Sequence, residues 1–127
     1  MQRPATQLPG ATDGPGPLSR LERTVLAALL AGDDPSRATL RAQLARATVA
    51  SRTHSGVGFV TRLAVPADVP AVAGAAPGLS PVRAGHPELP EPAEFLLELR
   101  DGRLGVLEAY CYAGGWPADE AEFQVIG

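Results

Sequence analysis

The sequence predicts an α+β domain, with two N-terminal helices packed on an antiparallel sheet of four or five strands. Three observations carry that expectation. Apolar residues recur at helical spacing in two blocks between Leu18 and Ala47. From Thr48 the period changes to two. Glu94 to Tyr112 then reads as two strands joined by Asp101-Gly102, a dipeptide that signals a hairpin strongly because both turn positions need positive φ.

The first helix is announced by Ser19-Arg-Leu-Glu22, a capping box in which the serine and the glutamate satisfy each other's backbone N–H groups. Leu18, Leu21, Val25, Ala28 and Leu29 share one face, and Gly32 supplies the stop, so the helix is expected at about 20–31. A second start follows at once. Asp34 is a good N-cap and Pro35 suits the first helical position. Leu40, Leu44 and Ala47 form its apolar face, while Arg37, Arg41 and Arg46 point elsewhere. The pair is an αα-hairpin with a short connection. A DNA-reading helix-turn-helix would need base-reading groups on the second helix, which offers mostly Ala, Leu and Arg.

In the strand region, a turn at Ser55–Val57 pairs Thr53 with Phe59, Ser51 with Thr61 and Val49 with Leu63. That register gathers Val49, Phe59, Leu63 and Val65 on one face and leaves Arg52, His54 and Arg62 on the other; a slip of one residue would reverse it. Residues 66–93 hold seven of the thirteen prolines, so this stretch is expected to be a long loop with one edge strand near Leu79–His86. The Asp101-Gly102 turn pairs Leu99 with Leu104, Leu97 with Val106 and Phe95 with Glu108, which sets Glu108 on the apolar face. After Trp116-Pro117, Phe123–Ile126 is expected to add a last short strand.

Composition bounds the rest. A chain of 127 residues suits one domain, 18–127, preceded by a Pro- and Gly-rich tail, 1–17, read as disordered. Aromatics are only 5%, so the core must rest on Leu, Val and Ala. All eleven basic residues are Arg, a pattern that fits GC-rich coding rather than adaptation to phosphate. The net charge of -3 opposes nonspecific binding to nucleic acid. No apolar run approaches the ~20 residues that span a bilayer, and the first ten residues lack the apolar core of a signal peptide. The expectation is a cytoplasmic protein with no membrane segment. A single cysteine, Cys111, excludes an intramolecular disulfide.

Gly56-Val-Gly-Phe59, Leu107-Glu-Ala-Tyr-Cys-Tyr112 and Gly115-Trp-Pro117 together resemble a group of small uncharacterised bacterial proteins. In that group a Gly-x-Gly-Phe turn precedes a strand, and an Asp-Gly hairpin leads into Leu-Glu-Gly-Tyr-x-Tyr and Trp-Pro. This chain has Ala109 where the pattern has Gly. The resemblance covers about residues 18–126 and implies an α+β domain. It brings no catalytic residues. Small proteins of this type sometimes sit beside toxins as immunity proteins, an association rather than a mechanism.

No complete catalytic set emerges. Cys111 with His54 or His86 would make a thiol–imidazole pair, but a cysteine on an apolar strand is ordinarily buried and inert. Neither histidine has the spacing of a metal site, so no metal and no cofactor is expected. Gly56-Val-Gly58 is followed by a strand, not the helix of a dinucleotide fingerprint. Glu108, Tyr110 and Tyr112 point the same way along one strand. This set can pair internally or with Arg52 or Arg62, can anchor a partner, or can serve as an acid–base group. The function expected is a non-enzymatic protein-binding module, an immunity or inhibitor protein for a partner toxin or enzyme. Glu108, Tyr110, Tyr112 and Trp116 form its expected interface. The alternatives are a small enzyme or ligand-binding domain using Glu108, Tyr110 and His54, or a subunit of a larger assembly, including a homo-oligomer.

Overall fold

The computed structural model describes residues 12–126. Helix α1 (Arg20–Leu29) starts where the capping box places it. Ser19 Oγ accepts the Glu22 N–H at 3.0 Å, and the Ser19 N–H donates to Glu22 Oε1 at 2.7 Å. Its C-cap is Leu30, two residues before Gly32, and Arg41 caps the free carbonyls of Leu30 and Gly32 at 2.7 and 2.8 Å. Helix α2 (Pro35–Leu44) is capped by Asp34, whose carboxylate accepts the Arg37 N–H at 3.1 Å and pairs with the Arg37 guanidinium at 2.9 Å.

Seven strands form one antiparallel sheet, larger than the four or five expected. They are β1 (Thr12–Asp13), β2 (Thr48–His54), β3 (Gly58–Ala64), β4 (Val82–Gly85), β5 (Ala93–Arg100), β6 (Arg103–Tyr110) and β7 (Gln124–Ile126), in the order β1-β2-β3-β6-β5-β4-β7. The strand expected at Phe123–Ile126 forms as β7 at one edge, and the two-residue β1 lies at the other. β1 also corrects the tail: residues 12–17 contain a strand and a Gly16–Val49 bridge, while residues 1–11 lie outside the described residues. β4 falls within the stretch expected to supply an edge strand, but β7 pairs along its free side, so it is interior.

Leu21, Val25, Leu26 and Leu29 of α1 and Leu40 of α2 share a buried core with Val49, Phe59, Ala84, Ala93, Phe95, Leu104, Leu107 and Ala109 of the sheet. The apolar stripe of each helix has no other surface on which to lose its water, and this burial is the main force assembling the layers. Trp116, Phe123 and Val125 pack on the rim of the same core.

Two bulges reset the register. In β6, Leu104 faces Leu99 as expected, but Val106 faces Glu98, so Gly105 is an extra residue. From there each pair shifts by one: Leu97 meets Leu107, Phe95 meets Ala109, and Glu108 meets Leu96. Glu108 is thereby turned out of the core, correcting its expected place on the apolar face. In β2, Val49 faces Leu63 as expected, but Ser51 faces Arg62 and His54 faces Phe59, so Ala50 is the extra residue. Arg52 and His54 therefore share the core-side face with Phe59 and Thr61, against expectation, and Arg62 stays on the outer one. A bulge inserts one residue on one strand and reverses the alternation beyond it.

The proline-rich segment is tied down by side chains. Arg103 donates to the carbonyls of Pro66, Ala67 and Val69 at 3.2, 3.2 and 2.7 Å. Buried Gln43 donates to the Pro70 and Gly102 carbonyls, both at 3.0 Å, and accepts the Leu104 N–H at 2.9 Å. Helix α2, the loop and the β5–β6 turn are thus held by one amide.

Candidate functional site

The sheet has one face against the core and one face open, and the open face carries three of the four expected interface residues. Its rows follow from the register. Thr53, Val60, Glu108 and Leu96 form one row, and Gly58, Tyr110, Glu94 and Arg83 the next. Val60, Glu108 and Arg83 are exposed, and Leu96, Val106 and Tyr110 half-buried. An apolar belt of Val60, Leu96 and Val106 therefore runs across a face whose charged groups include Arg62, Arg83, Glu94, Glu98 and Glu108.

At one end of this face two phenols converge on one carboxylate oxygen. Tyr110 Oη and Tyr112 Oη each donate to Glu94 Oε1 at 2.7 Å, and the rings meet edge-to-face with centroids 5.4 Å apart. Tyr110 is delivered by strand pairing, directly opposite Glu94. Tyr112 arrives because side chains two apart on an extended chain point the same way. The hydrogen bonds from Tyr112 and Tyr110, with the Arg83 charge as a smaller contribution, hold the Glu94 carboxyl below the usual range. The hydroxyl contact with Tyr112 and then the bond to Glu94 push the Tyr110 phenol up. Glu94 is thus a carboxylate and Tyr110 a phenol at neutral pH, an arrangement that presents negative charge and two aromatic surfaces. Glu94 was missed from the sequence because only the bulge-shifted register brings it opposite Tyr110.

The four expected interface residues are divided. Glu108, Tyr110 and Tyr112 stand on the open face. Trp116 is on the core side, with ring centroids 5.6, 6.0 and 5.0 Å from Phe59, Phe95 and Phe123. Its indole N–H donates to Glu120 Oε2 at 2.8 Å, and its backbone N–H donates to the Gly56 carbonyl. Glu108 makes no ion pair among the described residues, so the expected pairing with Arg52 or Arg62 is not formed.

Arg52 instead belongs to a buried polar network. Glu22, with no exposed surface, accepts from Arg52 Nε at 2.8 Å, Arg52 Nη2 at 2.6 Å and Thr61 Oγ1 at 2.6 Å, besides the Ser19 N–H. Asp13 accepts from Arg52 Nη1 at 3.0 Å and lies 3.1 Å from His54 Nε2. Burial alone would raise the Glu22 carboxyl, but the hydrogen bonds from Arg52, Thr61 and Ser19 outweigh it and hold it below the usual range. At Asp13 the same competition between desolvation and the bonds from His54 and Arg52 has the same outcome. With each Glu22 oxygen accepting two bonds from inside the chain, this network is a clasp between α1, β1 and the neighbouring strands.

The grouping of Glu108, Tyr110 and His54 expected of a small enzyme is not assembled. His54 lies on the core-side face and bonds Asp13, whereas Glu108 and Tyr110 lie on the open one. The thiol–imidazole pairing fares no better. Cys111 is buried, its thiol donates to the Gly114 carbonyl at 3.7 Å, and burial pushes its pKa up. His86 bonds the Asp119 carbonyl and the Glu88 N–H. Among the described residues no group of three or more His, Cys, Asp and Glu side chains is placed to hold a metal ion, and no helix is long and apolar enough to cross a membrane. Comparison with protein-family models, with curated proteins and with solved structures returned no match.

Proposed function

We propose that this chain is a non-enzymatic protein-binding module that engages its partner through the open face of the sheet, in the manner of an immunity or inhibitor protein acting on a toxin or enzyme. The observation that carries the reading is the Glu94–Tyr110–Tyr112 cluster beside the exposed Glu108 and the Val60–Leu96–Val106 belt. Aromatic side chains with fixed geometry around an apolar patch are the usual anchors of protein interfaces. A carboxylate already ordered by two phenols can receive a Lys or Arg side chain with little further loss of freedom, and the rings add a cation–π surface. The partner favoured is therefore one with a basic, partly apolar docking surface, and the chain's net charge of -3 steers such a partner toward it.

The test is affinity purification of the tagged protein from its native host, run beside a Glu108→Ala, Tyr112→Ala double variant. Both side chains are exposed, so the variant is expected to fold. A stoichiometric basic partner held by the wild type is expected to be lost, or weakened at least about tenfold, with the variant. The partner's own activity should fall when the wild-type protein is added. Equal retention by both proteins would remove the open face from the interface.

A further inference from the structure

At the other end of the open face, beside the β5–β6 turn, lies an open concavity of about 420 Å³ lined by Arg62, Arg100, Arg103, Val65, Gly105 and Val106 among others. Three of the chain's eleven arginines meet here in a protein of net charge -3. Arg100 and Arg103 are directly opposite one another across the hairpin. Like charges in that position destabilise a strand pair, and local rules are most often broken where a site has a use for it. Their compensation is thin. Arg103 is fixed by three neutral carbonyls, which hold its guanidinium without cancelling its charge. Arg100 has one exposed contact, Nε to Glu98 at 3.3 Å, and Arg62 has no ion pair among the described residues. The Gly105 bulge shapes the floor, since a Cβ there would come within 2.8 Å of Arg100 Cγ and the Glu98 carbonyl oxygen.

We propose that this concavity binds the phosphate group of a small phosphorylated molecule. Arg62 and the Nη groups of Arg100, whose Nε faces Glu98, supply the guanidinium donors, and their planar forks match phosphate oxygens. Arg103 acts as a fixed positive charge behind them. The volume exceeds what one phosphate needs and lies within the range of small-molecule sites. Val106, half-buried on the open face, offers apolar surface for the remainder of the ligand. The proposal does not depend on the protein-binding reading, because the site is formed by this chain alone.

The experiment is a titration of the isotope-labelled protein with inorganic phosphate and pyrophosphate, followed by the backbone amide resonances at matched ionic strength. Saturable shifts are expected at Arg62, Gly105 and Val106, with pyrophosphate binding more tightly. Arg62→Gln and Arg100→Gln should each weaken binding about tenfold while leaving the rest of the spectrum in place. Both side chains are exposed, so these variants keep the fold, and the loop-pinning Arg103 is left intact. Shifts that chloride reproduces, or an affinity unchanged in the Arg62→Gln, Arg100→Gln double variant, would overturn the proposal. Acetate binding as tightly as phosphate would overturn the phosphate assignment.

Discussion

Glu22 shows at the scale of one residue how a charge is kept in a core. A buried carboxylate is tolerated when its acceptor sites are filled, and here Ser19, Arg52 and Thr61 fill them. Removing it strands the Arg52 guanidinium with Asp13 alone, so Glu22→Ala should lower stability by about 3 kcal/mol in a denaturant titration. The pH dependence follows from the direction of the shifts. Glu22 and Asp13 titrate below their ordinary values when folded, so on acidification the unfolded chain takes up protons first. Stability is then fully present above the ordinary carboxylate range, near pH ~4, and is lost as pH falls through the lower folded values. Urea midpoints measured against pH should fall on the acid side in wild type, and the fall should be shallower in Glu22→Gln. The cap half of this residue's role is legible in Ser19-x-x-Glu22. Its burial is not, because Arg52 and Thr61 lie 30 and 39 residues away and reach it only once β2 and β3 are in place.

Between elements, the decisive residues are those that set register and approach. Gly58 has no room for a side chain: a Cβ would fall 1.8 Å from the Ala109 carbonyl oxygen. Gly58→Ala should therefore force β3 from β6 and cost several kcal/mol, visible as a large drop in melting temperature. The Asp101-Gly102 turn has positive φ at both residues, 52° and 74°, the pattern of the tight hairpin turn that a short-range reading expects. Just beyond it the Gly105 bulge reverses the alternation, so a correct turn was followed by a wrong pairing for Leu97, Phe95 and Glu108. Gln43 joins α2 to this turn and to the loop at Pro70. Gln43→Ala leaves those buried groups unpaired, at a cost of about 1–3 kcal/mol. Hydrogen exchange at the Leu104 amide should accelerate most.

For the whole molecule, the sheet separates a side that holds the fold from a side free to bind. Trp116 belongs to the first, wedged among Phe59, Phe95 and Phe123. Trp116→Ala should destabilise the protein by about 3–5 kcal/mol, with the change read from a thermal melt by circular dichroism. Tyr112→Ala and Leu96→Ser, on the open face, should leave that melt within about 1 kcal/mol of wild type. The two classes of variant thus discriminate a core tryptophan from an interface one: equal stability of Trp116→Ala and wild type would return Trp116 to the surface.

Much of the architecture was decided locally, and local chemistry is what a sequence displays. Ser19 and Glu22 start α1, Asp34 and Pro35 start α2, and Asp101-Gly102 turns the hairpin, because caps and tight turns are satisfied by groups within four residues. The α+β class and the two helices follow from those signals and from the change of period at Thr48. What faces what was decided elsewhere. One extra residue at Ala50 and another at Gly105 place Arg52 and His54 inward and Glu108 outward. A glycine inside a strand is a local sign of a bulge, which Gly105 carries and Ala50 does not; the register itself rests on which pairing lets the helices bury the greater apolar surface. The same holds for β1, too short to carry a periodic signal, and for Glu94, joined to two tyrosines only by pairing across the sheet. The sequence determined which segments are helices and turns; tertiary packing determined which face each strand residue occupies, and with it which residues stand together on the open side.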